Sequence, residues 1–372
     1  MHNHRDTVGR LLRTAIEPAA RDTDDHGRFP REFVRQAGRS GLLGLTVPSR
    51  RGGAGRGLVE AVEVVTEIAR ACGSTAAVLA GHYAATAVLV RHAPAGLLEE
   101  IAAGEHLSSL ALAEVGNRPL IPSGRARAHG GVVDLSARKN WVTAAGEADS
   151  YVWSSLPARD DGGMSLWLVP AQAPGMCVPA LVDGVGLRGS AAAAVTADPV
   201  RIPESAVLGG DGRGAEILVE TALPWTCALQ AGLAVGVAEA VLERSVECVT
   251  GPQPSWARWQ DPPARQPEVR ADLARMRTKV DAARLVLTDA VGESCFGEAD
   301  RNRVLQARAT AGEAAIQTAE LGMKVCGQYA FRKDLGLERR FRDAHTAGYG
   351  QLPVDEALDL LGRAICGAAL LG

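Results

Sequence analysis

Two helical tracts flank a stretch of short β-type runs, and this change of texture confines the chain to an α, then β, then α order. From residue 8 to about residue 104, apolar residues recur at helical spacing. Val8, Leu11, Leu12 and Ile16 form one stripe, and Phe33, Val34 and Ala37 form another. Residues 59–71 and 76–91 read as long, mostly apolar helices and 94–103 as a short one, while the Gly-rich 41–55 is a turn or irregular crossing. Between 107 and 207 come SLALAEV, GVVDLSA, NWVTAA, SYVWSSL, MSLWLVP, GMCVPAL and AVTADPVRI, separated by Gly, Pro, Asp and Asn. Helical spacing returns over 215–249, 269–296, 301–325 and 354–370, enough for a bundle, with a proline-rich loop at 251–266. The expected fold class is α+β: an N-terminal α-helical domain (1–106), a central β-barrel or sandwich domain (107–208) and a C-terminal four-helix bundle (209–372).

Charge and cysteine usage exclude several functions. A net charge of −3 gives no broad attraction for nucleic acid or acidic membranes. The 7 cysteines are scattered without a CxxC pair, which argues against a zinc ribbon or thioredoxin-like site and fits a reducing compartment. The polar N-terminus lacks the apolar run of a signal peptide, and Gly81 and His82 interrupt the apolar stretch 75–90. These features imply a cytoplasmic protein without a membrane span.

The stretch 336–355, GLERRFRDAHTAGYGQLPVD, carries a helix and then a break. Glu338 with Arg342, and Arg339 with Asp343, have the i,i+4 spacing for ion pairs along a helix side. Gly348, Gly350 and Pro353 end that helix, and a new one can start near Pro353 with Asp355 and Glu356 in its first turn. The open segment between, with Tyr349 and Gln351, can aim a side chain into a pocket or serve as a plain connecting turn.

Several strings in this order resemble the acyl-CoA dehydrogenase superfamily of flavoproteins. GLLGLTVPSRRGGAG is similar to that family's link between early helices, LALAEVG to its first flavin-contacting strand and KNWVTAAGEADSYV to its W-I-T-N segment. GLRGSAAAAVTADPVRIPESAVLG resembles the G-x-R-G-S strand pair and exit, KVCGQYAF the Q-x-x-G-G-x-G-F run, and LERRFRDA the V-E-R-x-x-R-D-A run. The resemblance implies FAD held between the domains of a homodimer or homotetramer. It places Trp141 against the isoalloxazine, Thr143 near its N5, and Leu112, Ala113, Glu114 and Val142 on the contacting strands. Ala113 stands where a flavin-bonding threonine is common, and Pro119 near the usual phosphate-binding serine. Lys324, followed by Gly327 and Gln328, replaces the glutamine that faces the partner subunit's cofactor.

Dehydrogenation of an acyl thioester needs a base for the acidified α-proton and an acceptor for the β-hydride. The family commonly places the carboxylate shortly after R-D-A. The equivalent residue here is Gln351, which cannot accept a proton near neutral pH. The second family location lies near Thr226, and the family's arginine there appears as Cys227. Glu220, Asp355 and Glu356 are substitute candidates, each also readable as a solvated or helix-terminal charge. His82 is a further catalytic candidate, although a lone His on an apolar helix is more often a satisfied core residue. His345, just after R-D-A, reads as a charge-pairing residue.

The tail AGYGQLPVDEALDLLGRAICG resembles the acyl-carrier-protein dehydrogenases of polyketide extender-unit pathways, including methoxymalonyl formation. This implies a flavin-dependent oxidoreductase acting on a short acyl thioester, on acyl carrier protein or CoA, in specialised metabolism. Two other readings stand beside it. One is a flavin monooxygenase on the same fold, with His82 assisting. The other is a catalytically silent homologue acting as a partner subunit, which the altered Ala113, Pro119, Cys227 and Gln351 would suit.

Overall fold

The computed structural model describes residues 4–114, 120–159, 163–180, 182–251, 263–292 and 298–371. Pro119 lies outside the described residues. The N-terminal part is helical: α1 (His4–Leu11), α2 (Ala20–Asp25), α3 (Arg31–Arg39), α4 (Leu58–Ala71), α5 (Gly73–His92) and α6 (Ala95–Ala103). The link at 41–55 folds inward, burying Leu42, Leu43, Leu45 and Val47. Its Leu42 and Leu43 carbonyls are met by side chains of α5: the Tyr83 hydroxyl donates to Leu42 O at 2.8 Å.

Eight strands follow: β1 (Ser108–Ala111), β2 (Arg125–His129), β3 (Val132–Val142), β4 (Ser150–Ser155), β5 (Ser165–Pro170), β6 (Met176–Cys177), β7 (Ala193–Pro203) and β8 (Val207–Leu208). They form two four-stranded sheets, in the orders β1-β4-β5-β8 and β2-β3-β7-β6. β1 and β4 pair in parallel, and the remaining pairings are antiparallel. The sheets are stitched where Asn140 N donates to Ala113 O at 2.9 Å and Leu156 N to Gly124 O at 2.8 Å. The β-type runs GVVDLSA and NWVTAA are one long strand, β3, bent by two register shifts. β2 is an edge strand of alternating Arg and Ala, a pattern that carries little apolar signal.

The C-terminal part contains α7 (Gly214–Ile217), α8 (Leu223–Thr250), α9 (Pro267–Gly292), α10 (Glu298–Cys326), α11 (Leu337–Tyr349) and α12 (Val354–Ile365). A π turn, Leu218–Ala222, joins α7 to α8. It lies just upstream of Pro224, whose missing N–H leaves the ordinary helical ladder incomplete there. α8 and α10 pack against each other, α9 covers both, and α11 lies against the same pair. The last helix stops at Ile365, short of the expected 370, and Gly367 adopts a φ of +68° just after it.

α5 and the continuous helix Gly214–Thr250 are long and apolar enough to cross a membrane by length and composition, but 89% and 83% of their apolar windows are buried inside this protein. α8 also crosses α4 at close range. A Cβ at Gly236 would lie 2.2 Å from the Thr66 carbonyl oxygen, a separation that forces one backbone to move.

The domains are tied together at α11. Arg342 bonds Glu338 at 2.7 Å, as its i,i+4 spacing predicts, and also reaches Asp24 of α2 at 2.6 Å and the Val185 carbonyl at 2.8 Å. The expected Arg339–Asp343 pair does not form. Arg339 turns to the Ala71 carbonyl, while the buried Asp343 accepts the Leu187 amide at 2.6 Å. Burial pushes the Asp343 carboxyl up to about 6, against the pull of that hydrogen bond.

Replacing Gly236 with Ala should lower stability by about 1–3 kcal/mol through overpacking at the α4–α8 crossing. Urea denaturation of the variant beside the parent protein measures this; an unchanged midpoint would mean that the crossing relaxes freely.

Candidate active site

Two cavities meet beside β3 and the α11–α12 break. The first lies between the sandwich and the π turn, with Leu112, Ala113, Asn140 and Trp141 on one wall and Leu218 and Leu223 on the other. The second lies between α5 and α8 and is walled by Ala80, Gly81, Ala84, Leu229 and Leu233, with Thr143 at one side. Thr226 of α8 and Gln351 line both cavities.

Local structure explains how Trp141 reaches this place. Lys139 pairs with Val195 and Val142 with Ala193, so β3 spends one more residue than β7 over this interval. Such a bulge bends a strand and re-aims its side chains. Trp141 takes a φ of +52° and is 57% exposed, while Trp153 and Trp167 of the same sandwich are buried. Val142 is buried within the sandwich and lines neither cavity. Thr143 lines the second cavity, and no hydrogen bond to its hydroxyl occurs among the described residues. An open indole face over an apolar hollow, with an uncommitted hydroxyl two residues on, fits a flat aromatic cofactor.

Glu114 does not face that hollow. Its carboxylate accepts the Lys139 ammonium at 2.5 Å and the Ser123 amide and hydroxyl at 2.8 and 2.7 Å. Burial opposes its charge, but Lys139 and Ser123 outweigh burial and hold the carboxyl below its ordinary value. Lys139 is fully buried, bonded also to Ser154 Oγ at 2.8 Å, and burial brings it down to about 8 against the pull of Glu114. The pair stitches the sandwich behind the cavity wall, which replaces the flavin contact expected of the Glu114 side chain.

The segment that carries Gln351 is held by a buried cation. Arg308 of α10 is inaccessible to solvent and has no carboxylate partner among the described residues. Its Nη2 donates to the Ala347 and Gly348 carbonyls at 2.9 Å each; its Nε donates to the Leu352 carbonyl at 3.0 Å and to Gln230 Oε1 at 2.9 Å. The first two carbonyls belong to the last turn of α11, where helical acceptors have no partner of their own and the helix dipole is negative. Burial pulls the guanidinium down to about 10, so it stays charged at neutral pH. Its signal in the sequence is positional: Leu305, Ala311 and Ala315, at i−3, i+3 and i+7, are all buried and put Arg308 on the inward stripe.

The other catalytic candidates lie elsewhere. His82 is fully buried; its Nε2 donates to the Leu43 carbonyl at 3.0 Å, and its Nδ1 accepts the Ser108 amide at 3.2 Å. Those partners fix the neutral tautomer, and burial lowers the imidazole to about 4. The residue is a pin between α5, the 41–55 link and β1, which corrects the catalytic expectation. Glu220 is exposed on the π turn, and Asp355 is exposed in the first turn of α12; neither lines a cavity. Cys227 is buried, and burial raises its thiol to about 12. No carboxylate, imidazole or amine among the described residues lines either cavity.

Lys324, Gly327 and Gln328 lie at the C-terminal end of α10, about 24 Å along the helix from Arg308 at 1.5 Å per residue. All three are exposed, and Lys324 pairs with Asp272 of α9 at 2.7 Å. Within one chain they do not join the Trp141 site.

Comparison with known proteins agrees with this architecture. The family model described as acyl-CoA dehydrogenase, N-terminal domain, matches residues 2–103, and that described as acyl-CoA dehydrogenase, C-terminal domain, matches residues 228–351. A protein named acyl-CoA dehydrogenase from Bacillus subtilis (strain 168) is 28% identical, covering 99% of this chain and 97% of that protein. The structure of butyryl-CoA dehydrogenase from Megasphaera elsdenii superposes with a TM-score of 0.89 at 19% identity, covering 97% of each chain. That of FkbI, described as acting in biosynthesis of the methoxymalonyl extender unit of a polyketide, gives 0.85 at 24% identity, covering 99% of this chain and 100% of that one. At these identities the two structures establish likeness of fold.

The buried imidazole gives a pH prediction. His82 has a folded-state value near 4 and an ordinary value of 6.5. Between these values the unfolded chain binds the proton and the folded chain does not, so stability rises with pH across the window. Acidification from 6.5 to 4 should therefore remove about 3 kcal/mol that a His82→Gln variant does not lose. Denaturant titrations at several pH values, compared between the two proteins, test this; parallel curves would show that His82 is charged in the folded state.

Proposed function

Because the chain belongs to the acyl-CoA dehydrogenase family, whose members are flavin-dependent acyl-thioester dehydrogenases, we propose that it is a flavin-dependent oxidoreductase acting on a short acyl thioester. In this reading the flavin is FAD, the acyl group rides on an acyl carrier protein or CoA in polyketide-type metabolism, and the assembly is a cytoplasmic homodimer. The observation that carries the reading is the meeting of the two cavities at Thr226 and Gln351, beside the outward-turned Trp141.

A bound flavin supplies the hydride acceptor. The Trp141 indole offers a face for its ring, and the Thr143 hydroxyl a hydrogen bond at its edge. The backbone of Leu112 and Ala113 would border it. The second cavity is walled by alanines and leucines and takes a short acyl chain out of water. Gln351, between the cavities, orients the thioester through its amide and takes no proton. A carbinol carbon as the oxidised centre suits this arrangement better than an α-carbon, because the proton then leaves from O–H.

The absence of a proton-accepting side chain along the described cavity walls also favours a second reading, a silent homologue that supports an active partner chain. Turnover by the homodimer excludes it. The monooxygenase reading loses its assisting group, since both His82 nitrogens are engaged.

The purified protein should be yellow, and anaerobic addition of its acyl thioester should bleach the visible flavin band. A colourless protein that takes up no added flavin would overturn the reading. Substituting Gln351 with Glu should raise α,β-dehydrogenation of a simple short-chain acyl-CoA by about 10²-fold, the gain expected from placing a general base at the reacting carbon. No gain in stopped-flow reduction would remove residue 351 from the reacting centre.

A further inference from the structure

Gln230 projects from α8 into the second cavity, where it is the neighbour of Gly350 and Gln351. Its amide orientation is dictated by chemistry. Arg308 Nε can only donate, so the atom 2.9 Å from it must be the amide oxygen. The nitrogen, Nε2, then faces away from the guanidinium, and no partner for it occurs among the described residues. A Cβ added at Gly350 would stand 3.4 Å from the amide carbon, oxygen and nitrogen alike, so the amide plane lies flat over that glycine. Flipping the amide would set two donors against each other and leave the buried Arg308 Nε without its acceptor there.

The rest of this cavity is made mostly of alanine, glycine and leucine, with Thr143, Thr226 and Gln351 as its other polar side chains. An oriented amide NH2 in such a wall discriminates strongly. It rewards a ligand oxygen placed against it and leaves an unpaired donor when that oxygen is missing. The positive charge of Arg308, on the far side of the amide, polarises the N–H further.

We infer that Gln230, with its orientation set by Arg308, is a specificity-determining donor that selects acyl chains carrying an oxygen acceptor over plain hydrocarbon chains. This rests on the acyl-thioester reading of the cavity above. Arg308 is a positioning residue here, acting through the amide of Gln230.

The test is binding, read by calorimetry without turnover. Methoxyacetyl- and 3-methoxypropanoyl-pantetheine thioesters are compared with butyryl- and pentanoyl-pantetheine, the same chains with carbon in place of the ether oxygen. An ether oxygen buried without a donor would bind more weakly than its hydrocarbon counterpart, so the sign of the preference is informative. The protein should bind at least one ether about tenfold more tightly than its counterpart. Gln230→Leu should abolish or reverse that ratio, and Gln230→Glu, which keeps the size and the Arg308 contact but has no N–H, should do the same. Equal or weaker binding of the ethers, no binding of any of the thioesters, or a ratio that survives both substitutions would overturn the inference. Oxygen-selective binding that depends on Gln230, in a protein whose flavin no thioester reduces, would sink the dehydrogenase reading and keep this one. Flavin reduction by thioesters without any oxygen preference would do the reverse.

Discussion

A helix that ends inside a protein leaves carbonyl oxygens that neither water nor its own amides can reach, and α11 ends in this way between α8 and α10. The Arg308 guanidinium answers that need. It takes two carbonyls from the last turn of α11, one from the entry to α12 and the amide oxygen of Gln230. Its counter-charge is the negative end of the helix itself, so a buried cation exists without a buried carboxylate beside it. The clamp fixes the chain on either side of Gln351, the Gln230 amide that lies over Gly350, and the direction in which the NH2 of that amide points.

Ionisable groups in this protein are spent on the frame, away from the cavities. Lys139 and Glu114 close the sandwich behind Trp141, Asp343 caps the Leu187 amide where the domains meet, and His82 joins a loop to a strand. Each is buried with its hydrogen bonds satisfied, which is the condition under which a buried polar group holds a structure together. The cavity walls, by contrast, are neutral among the described residues. A neutral wall beside a flat hollow does not repel an anionic cofactor or thioester, and it leaves proton transfer to the substrate's own groups.

The α, β, α order was legible in the sequence because hydrophobic period reports which face of an element is buried, and that holds whatever the element packs against. The family strings also placed Trp141, Thr143 and Gln351 at one site, since local spacing along a strand or around a helix break survives into the fold. Period could not show that GVVDLSA and NWVTAA are one strand, because the bulge that turns Trp141 outward is set by pairing with β7. Nor could it show that His82 and Glu114 are consumed by partners distant in the chain, or which carbonyls Arg308, on its inward-facing stripe, would meet.

Sequence alone determined the α, β, α order and the residue types available to the site. Tertiary structure decided which of those residues face the cavities and which are engaged elsewhere. The reason is that a side chain's partners come from other elements: His82 takes one 39 residues away, Arg308 one 78 residues away, and only the assembled fold brings them within hydrogen-bond reach.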